Sequence, residues 1–284
     1  MSKVDENWSL VIQPQAKWWN LQLREIWNYR DLILLFVKRD IVAVYKQTVL
    51  GPLWFFLSPI FTVIAYNFVF GTIAKMPTDT IPGPLFYLSG TTLWNYFSGC
   101  FTATSNTFNT NAVIFGKVYF PRMVAPISII LSNLFKFAVQ MLMFFAVLAY
   151  YMFAADSNIV LTKYVLLFPL LVVMMGGLAL GVGIILSAMT TKYRDLKNFI
   201  GFGVSLLMWI SPVIYPVSAV GSKYGWLLKL NPISPIIECF RLGFTGYGTV
   251  STFDLLYSGG FIAAILLIGA IMFHRVERTF MDTV

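Results

Sequence analysis

The chain has 284 residues, 58% of them hydrophobic and only 11% charged, with a formal net charge of +8. Soluble domains carry roughly 25% charged residues, so an ordinary soluble enzyme is excluded, and a mean hydropathy of +0.76 agrees. Disorder, collagen, coiled coil and a disulfide scaffold fall with it. The class that remains is an all-α polytopic membrane protein.

Residues 1–20 are polar and carry Trp8, Trp18 and Trp19, which suits an interfacial anchor. Asp5, Glu6, Lys17, Arg24 and Glu25 interrupt any apolar signal-peptide core. Residues 21–47 pattern as an amphipathic helix. Leu23, Ile26, Trp27, Leu34, Val37, Ile41 and Val44 recur near helical spacing, with Arg24, Arg30, Lys38, Arg39 and Lys46 between them. Such a helix lies along the headgroups, either as a working element or as a plain topology anchor.

A crossing helix needs about 20 largely apolar residues. Six segments qualify: 51–73, 85–107, 123–153, 164–190, 199–217 and 255–273. The chain thus divides into a cytoplasmic tail with its interface helix, 1–50, and a transmembrane domain, 51–284. The region 218–248 is too apolar for a solvated loop and is interrupted by Pro232 and Pro235. Short re-entrant or interfacial helices are predicted there, with their backbone buried in protein or lining water.

Fourteen of the 20 Lys and Arg residues fall on one side of these spans and five on the other, with Lys136 inside the third. The positive-inside rule then places both termini in the cytoplasm. It also accounts for the basic charge without nucleic acid.

The 12 Asp and Glu residues all avoid the spans. A proton-coupled transporter or a membrane acid–base enzyme normally needs an intramembrane carboxylate or histidine. The single histidine, His274, excludes a triad that needs a second one. Cys100 and Cys239 stand apart and outside any CxxC, which supports no metal site. Gly116-Lys117 lacks the earlier glycine and the following hydroxyl of a phosphate-binding loop, so no nucleotide site is expected in this chain.

The second span is polar. Tyr87, Thr91, Trp94, Asn95, Ser98, Thr102, Ser105 and Asn109 recur at three and four residues and share a helical face. Either they pack against neighbouring helices or they line a hydrophilic path. In the first span, Ser58, Thr62 and Tyr66 share a face suited to the same path. Lys136 with Asn133 and Gln140 forms a polar face in the third. It either meets an anionic substrate group such as a pyrophosphate or snorkels from the interface. Gly177 and Gly181 form a GxxxG, a signature of close helix packing.

The run Arg39-Asp40 through Tyr45-Lys46 to Gly51-Pro52-Leu53-Trp54 resembles the opening signature of ABC-2 type polysaccharide permeases. Three further segments resemble the family in the same order. They are Lys117-Val118-Tyr119-Phe120-Pro121-Arg122, then Tyr193-Arg194-Asp195-Leu196, then Ser211-Pro212-Val213-Ile214-Tyr215-Pro216 with Asn231-Pro232, Glu238 and Arg241. The resemblance covers nearly the whole chain.

It implies the membrane subunit of an exporter for O-antigen-type, capsular or teichoic acid polymers. Such a subunit is a non-enzymatic homodimer in the bacterial cytoplasmic membrane. It pairs with two ATPase subunits, which bind ATP and Mg, and it moves a polymer on undecaprenyl diphosphate. On the matching positions, Arg39, Asp40, Tyr45 and Lys46 end the interface helix. Lys117, Tyr119, Pro121, Arg122, Arg194 and Asp195 belong to loops that couple to the ATPase. Pro212, Tyr215, Pro216, Glu238 and Arg241 form the outer gate. Ser58, Thr62, Tyr66, Tyr87, Thr91, Trp94, Asn95, Ser98, Thr102 and Lys136 are the candidates for the substrate path, where aromatic rings offer sliding surfaces for sugar. An ABC-2 exporter of drugs or lipids, a membrane glycosyltransferase and a passive channel are the rival expectations.

Overall fold

The computed structural model describes residues 23–46, 50–153, 158–193, 195–221 and 223–279. Trp8, Trp18, Trp19, Arg194 and the side chain of Tyr45 lie outside the described residues. Within them, all regular structure is helical. In chain order the helices are α1 (Leu23–Asn28), α2 (Arg30–Tyr45), α3 (Trp54–Tyr66), α4 (Gly83–Ser105) and α5 (Thr107–Phe115). They continue with α6 (Val124–Phe153), α7 (Phe168–Lys192), α8 (Leu196–Ile210), α9 (Gly225–Leu230), α10 (Ile233–Thr245) and α11 (Thr252–Thr279). A π-helical segment, Asn67–Ile73, extends α3.

A helix lies at each of the six predicted spans. Four stretches are long and apolar enough to cross a membrane: Trp54–Ile73, Val124–Phe153, Lys163–Lys192 and Thr252–Val276. The 23-residue α4 is too polar to qualify, and α8 stops after 15 residues. At 1.5 Å per residue, α8 reaches about 22 Å. The predicted run to Val217 ends early because Pro212 disfavours helical backbone in the residue before it, and Ser211 is extended.

Local chemistry sets the other ends. Ser251 and Asp254 form a reciprocal cap at the start of α11: Phe253 N–H donates to Ser251 Oγ at 3.3 Å and Ser251 N–H to Asp254 Oδ2 at 3.2 Å. Gly246 closes α10 at a φ of +79°, where a side chain would be strained. In the predicted outer region, 218–248, α9 and α10 are the expected short helices, parted at Pro232.

The tolerance of α4 for polar residues follows from its position. It packs on α3, α6, α7, α8 and α10. Residues 85–94 are buried without interruption. Two of its hydroxyls turn back on their own helix: Ser89 Oγ donates to Phe86 O at 2.7 Å and Thr91 Oγ1 to Tyr87 O at 2.7 Å. A satisfied hydroxyl carries little cost in an apolar setting.

The GxxxG expectation holds in space. A Cβ on Gly181 would lie 2.7 Å from Ile265 Cγ2 and 3.1 Å from the Leu266 nitrogen, and one on Gly269 would lie 2.8 Å from Gly181 O. The glycines let α7 and α11 meet backbone to backbone.

Candidate functional site

Two ends of the bundle carry the polar side chains of interest. At one end, α10 is sealed by a buried ion pair. Arg241 and Glu238 are 1% and 3% exposed. Arg241 Nη1 donates to Glu238 Oε1 at 3.3 Å, its Nε to Ser89 Oγ at 3.1 Å and its Nη2 to Val213 O at 2.8 Å. The guanidinium also stacks over Phe86, 3.9 Å from the ring centroid. One side chain thus ties α10 to α4 and to the Ser211–Pro216 turn. Gly90 makes this possible, since a Cβ there would sit 2.4 Å from Val213 O and 2.8 Å from Arg241 Nη2. Burial pushes the Glu238 carboxyl up. The Arg241 charge and the Thr249 N–H, which donates to Oε2 at 3.2 Å, pull it back.

The rest of the predicted outer gate folds onto this knot. Asn231 Nδ2 donates to Ser211 Oγ at 2.8 Å, while Asn231 Oδ1 accepts from Ile233 N–H at 3.0 Å. Pro212 and Pro216 are buried, and Tyr215 Oη donates to Trp209 O at 3.0 Å. Of the residues around Arg241, sequence reading missed Phe86, Ser89 and Gly90. The one available signal was a pair of small residues, Ser89-Gly90, inside an otherwise bulky stretch.

The predicted path residues separate into two groups. Tyr87, Thr91 and Trp94 are 0%, 2% and 4% exposed, so this half of α4 is packed within the bundle. Tyr87 meets Tyr66 edge-on at 6.3 Å, Tyr66 meets Phe70 at 5.6 Å, and Phe70 meets Trp209 at 6.3 Å. This aromatic chain joins α3, its π extension, α4 and α8. Thr62 Oγ1 donates to Ser58 O at 2.9 Å, and Ser58 is exposed.

In the other half of α4, Asn95 and Ser98 are half-buried and Thr102 is exposed. Ala103, Asn106, Asn109 and Thr110 continue the same open strip. Beside it, Asn95 Nδ2 donates to Gln140 Oε1 at 3.5 Å and Lys136 Nζ to Asn133 Oδ1 at 3.3 Å. Helix α2 packs against α6, which carries Lys136. On α2, Asp40 is held by Arg39 Nη2 at 2.8 Å.

The second end gathers the basic elements: α1, α2, the loop after α5 and the ends of α6, α7 and α11. Ile26, Ile33 and Phe36 pack with Phe108, Phe115, Phe120, Ile184 and Phe273. The helix therefore docks on a face that includes Ile33 and Phe36, whereas Trp27 and Leu34 of the predicted stripe are 69% and 62% exposed. Lys46 is exposed at the end of α2.

Within the predicted coupling loop, exposure falls on a short tip. Lys117, Val118 and Tyr119 are exposed, and Pro121 is half-buried. Phe120 turns in against Phe36 at 5.8 Å and Phe115 at 5.7 Å. Arg122 is only 8% exposed and stacks on Phe115 at 5.6 Å. Asp195 is exposed beside Tyr193, at the same end.

The ABC-2 type transporter family matches residues 31–245, which holds α2 through α10. An O-antigen export system permease protein, RfbA, of Klebsiella pneumoniae is 27% identical over 89% of this chain and 94% of its own length. The RfbA of Myxococcus xanthus is 26% identical over 92% of this chain and 98% of its own. The polysialic acid transport protein KpsM of Escherichia coli is 22% identical over 86% and 93%. With the family's profile matched across most of its length, this chain belongs to the ABC-2 type transporters.

Proposed function

We propose that the chain is the membrane-spanning subunit of an ATP-driven exporter of a lipid-linked polysaccharide such as O-antigen. Two copies pair in the bacterial cytoplasmic membrane and engage two separate ATPase subunits, which bind ATP and Mg. The observation that carries this reading is full-length similarity to permeases named for O-antigen export. Six crossings are part of it. α4 crosses inside a jacket of other helices, and α8 crosses together with the turn that follows it. Both termini and the basic end face the cytoplasm, as the charge bias requires.

The geometry supports a division of tasks. The exposed Lys117–Tyr119 tip and the Tyr193–Asp195 loop receive the ATPase motion, while α2 passes it to α6. The open strip of α4 from Asn95 through Thr102 borders the substrate path with the second copy. Lys136 stands at the entry of that path, where the diphosphate of the lipid carrier arrives. The Arg241 knot holds the outer gate in register.

Capsule or teichoic acid is the alternative cargo within the family, and KpsM, named for polysialic acid transport, favours considering it. Co-expression with an ABC ATPase sought among the neighbouring genes is the test. Co-purification of both subunits and ATP hydrolysis stimulated by polyprenyl-linked glycan are expected. A chain that purifies without any ATPase, or hydrolysis stimulated equally by drugs or simple lipids, contradicts the reading. Sugar incorporation by the chain alone, or currents without nucleotide, point to a glycosyltransferase or a channel instead.

A further inference from the structure

Helix α9 carries an uncovered surface at the end of the bundle away from the basic elements. Of its residues only Leu228 is buried. Trp226 and Leu230 are each 57% exposed, and Tyr224 and Leu227 are exposed beside them. Lys223 and Lys229 stand exposed in the same short stretch. No acidic residue occurs between Asp195 and Glu238. Among the described residues, neither lysine forms an ion pair. Asp254, on the start of α11, accepts instead from Ser251 N–H at 3.2 Å.

Depth identifies the medium around this surface. Tyr257 Oη donates to Leu230 O at 3.0 Å, which ties the end of α9 to the apolar stretch Thr252–Val276. Tyr257 lies within about 7.5 Å of the start of that stretch along the helix axis. An interfacial helix buries its apolar face roughly 5–10 Å into the boundary between headgroups and acyl chains. Phe253 and Leu256, exposed on the first turns of α11, present apolar surface at the same level. Trp, Tyr and Leu side chains at that level meet acyl chains, while lysines lay their stems along the apolar surface and lift their ammonium groups to the phosphates.

The charge selects among lipids. Most of the Lys and Arg residues of the chain lie at the opposite end, so the topology bias does not account for Lys223 and Lys229. A zwitterionic headgroup balances its phosphate with its own cation. An anionic headgroup does not, and two lysines without an acidic partner supply the missing charge. We infer that α9 is a docking surface for anionic phospholipid, held between Lys223 and Lys229 with its chains against Trp226 and Leu230. The inference needs only that the chain spans the membrane, and it is independent of the cargo proposed above.

The test uses the full chain in nanodiscs of phosphatidylcholine with a minor share of phosphatidylglycerol. Leu227→Cys gives a single site for a trifluoromethyl label, because Cys100 and Cys239 are both 0% exposed. Relaxation of the fluorine signal is measured with a nitroxide near the top of the acyl chain of either lipid in turn. Both lipids should relax it, with phosphatidylglycerol in excess by about fivefold for each lysine engaged. Lys223→Gln with Lys229→Gln should abolish the excess, and Lys223→Arg with Lys229→Arg should keep it. Added salt gives a second measurement on the parent protein, and should shrink the excess. Equal relaxation by the two lipids, or an excess that survives both glutamines or high salt, overturns the proposal. Relaxation by neither lipid means that a second copy or water covers α9, and overturns it too.

Discussion

The outer and basic halves of α4 use similar residue types in opposite ways. In the outer half, Tyr87, Ser89, Gly90 and Thr91 are buried, and Ser89 is bound by Arg241 at 3.1 Å. In the basic half, Asn95, Ser98 and Thr102 lie on a strip that the chain itself leaves partly uncovered. Polar residues of the first group hold the protein together. Those of the second are only partly covered by the rest of the chain. Periodicity alone assigns both to one stripe; what separates them is which neighbours arrive.

The largest effect that would sharpen this contrast is at Arg241. Arg241→Ala leaves Glu238 buried without its partner, at a cost of about 3–5 kcal/mol. Loss of most folded protein in fluorescence-detected size exclusion is expected. Near-normal yield would mean that the knot does not hold the outer end. Gly181→Leu comes next, since its side chain would press into Ile265 and the α11 backbone. Overpacking of that kind costs about 1–3 kcal/mol, and thermal unfolding of the purified protein reads it.

At the basic end the contrast lies within one loop. Arg122→Ala removes a buried cation–aromatic contact and should lower stability by roughly 1 kcal/mol or more. Lys117→Ala with Tyr119→Ala should leave stability within about 0.5 kcal/mol while uncoupling ATP hydrolysis from transport. Normal transport by that double variant would remove the tip from the coupling path. The smallest perturbation is labelling. Single cysteines at Ser98 and Thr102 should react with a polar thiol reagent in the native membrane, and those at Tyr87 and Thr91 only after unfolding. The reverse order would undo the division of α4.

Much of this architecture was legible in the residues. Hydropathy pointed to a helix at each of the six segments and Pro232 to the break between α9 and α10, while the end of α8 before Pro212 was placed too late. Glu238 and Arg241 were recognisable as a pair because they are one helical turn apart. Their further partners were not, since Ser89 lies 152 residues away and Val213 28 residues away, and no local pattern encodes such contacts. The docking face of α2 could not be read from the sequence for a similar reason. Leu34 and Ile33 are equally apolar, and only the position of Phe115 and Phe120 decides which of them is covered. The burial of Arg122 was not legible either, because a basic loop residue is usually solvated, yet Phe115 offers it a ring to lie on.

The central claim is that this chain provides the path for a polymer whose movement is powered elsewhere. Its most direct test is reconstitution in proteoliposomes with an ABC ATPase sought among the neighbouring genes. Fluorescent polyprenyl diphosphate-linked glycan is supplied on the nucleotide side. ATP, and not a non-hydrolysable analogue, is expected to make the glycan accessible to a glycosidase on the opposite side. Glycan that crosses without ATP, or that fails to cross while ATP is hydrolysed in the presence of an unrelated cargo that does cross, would contradict it.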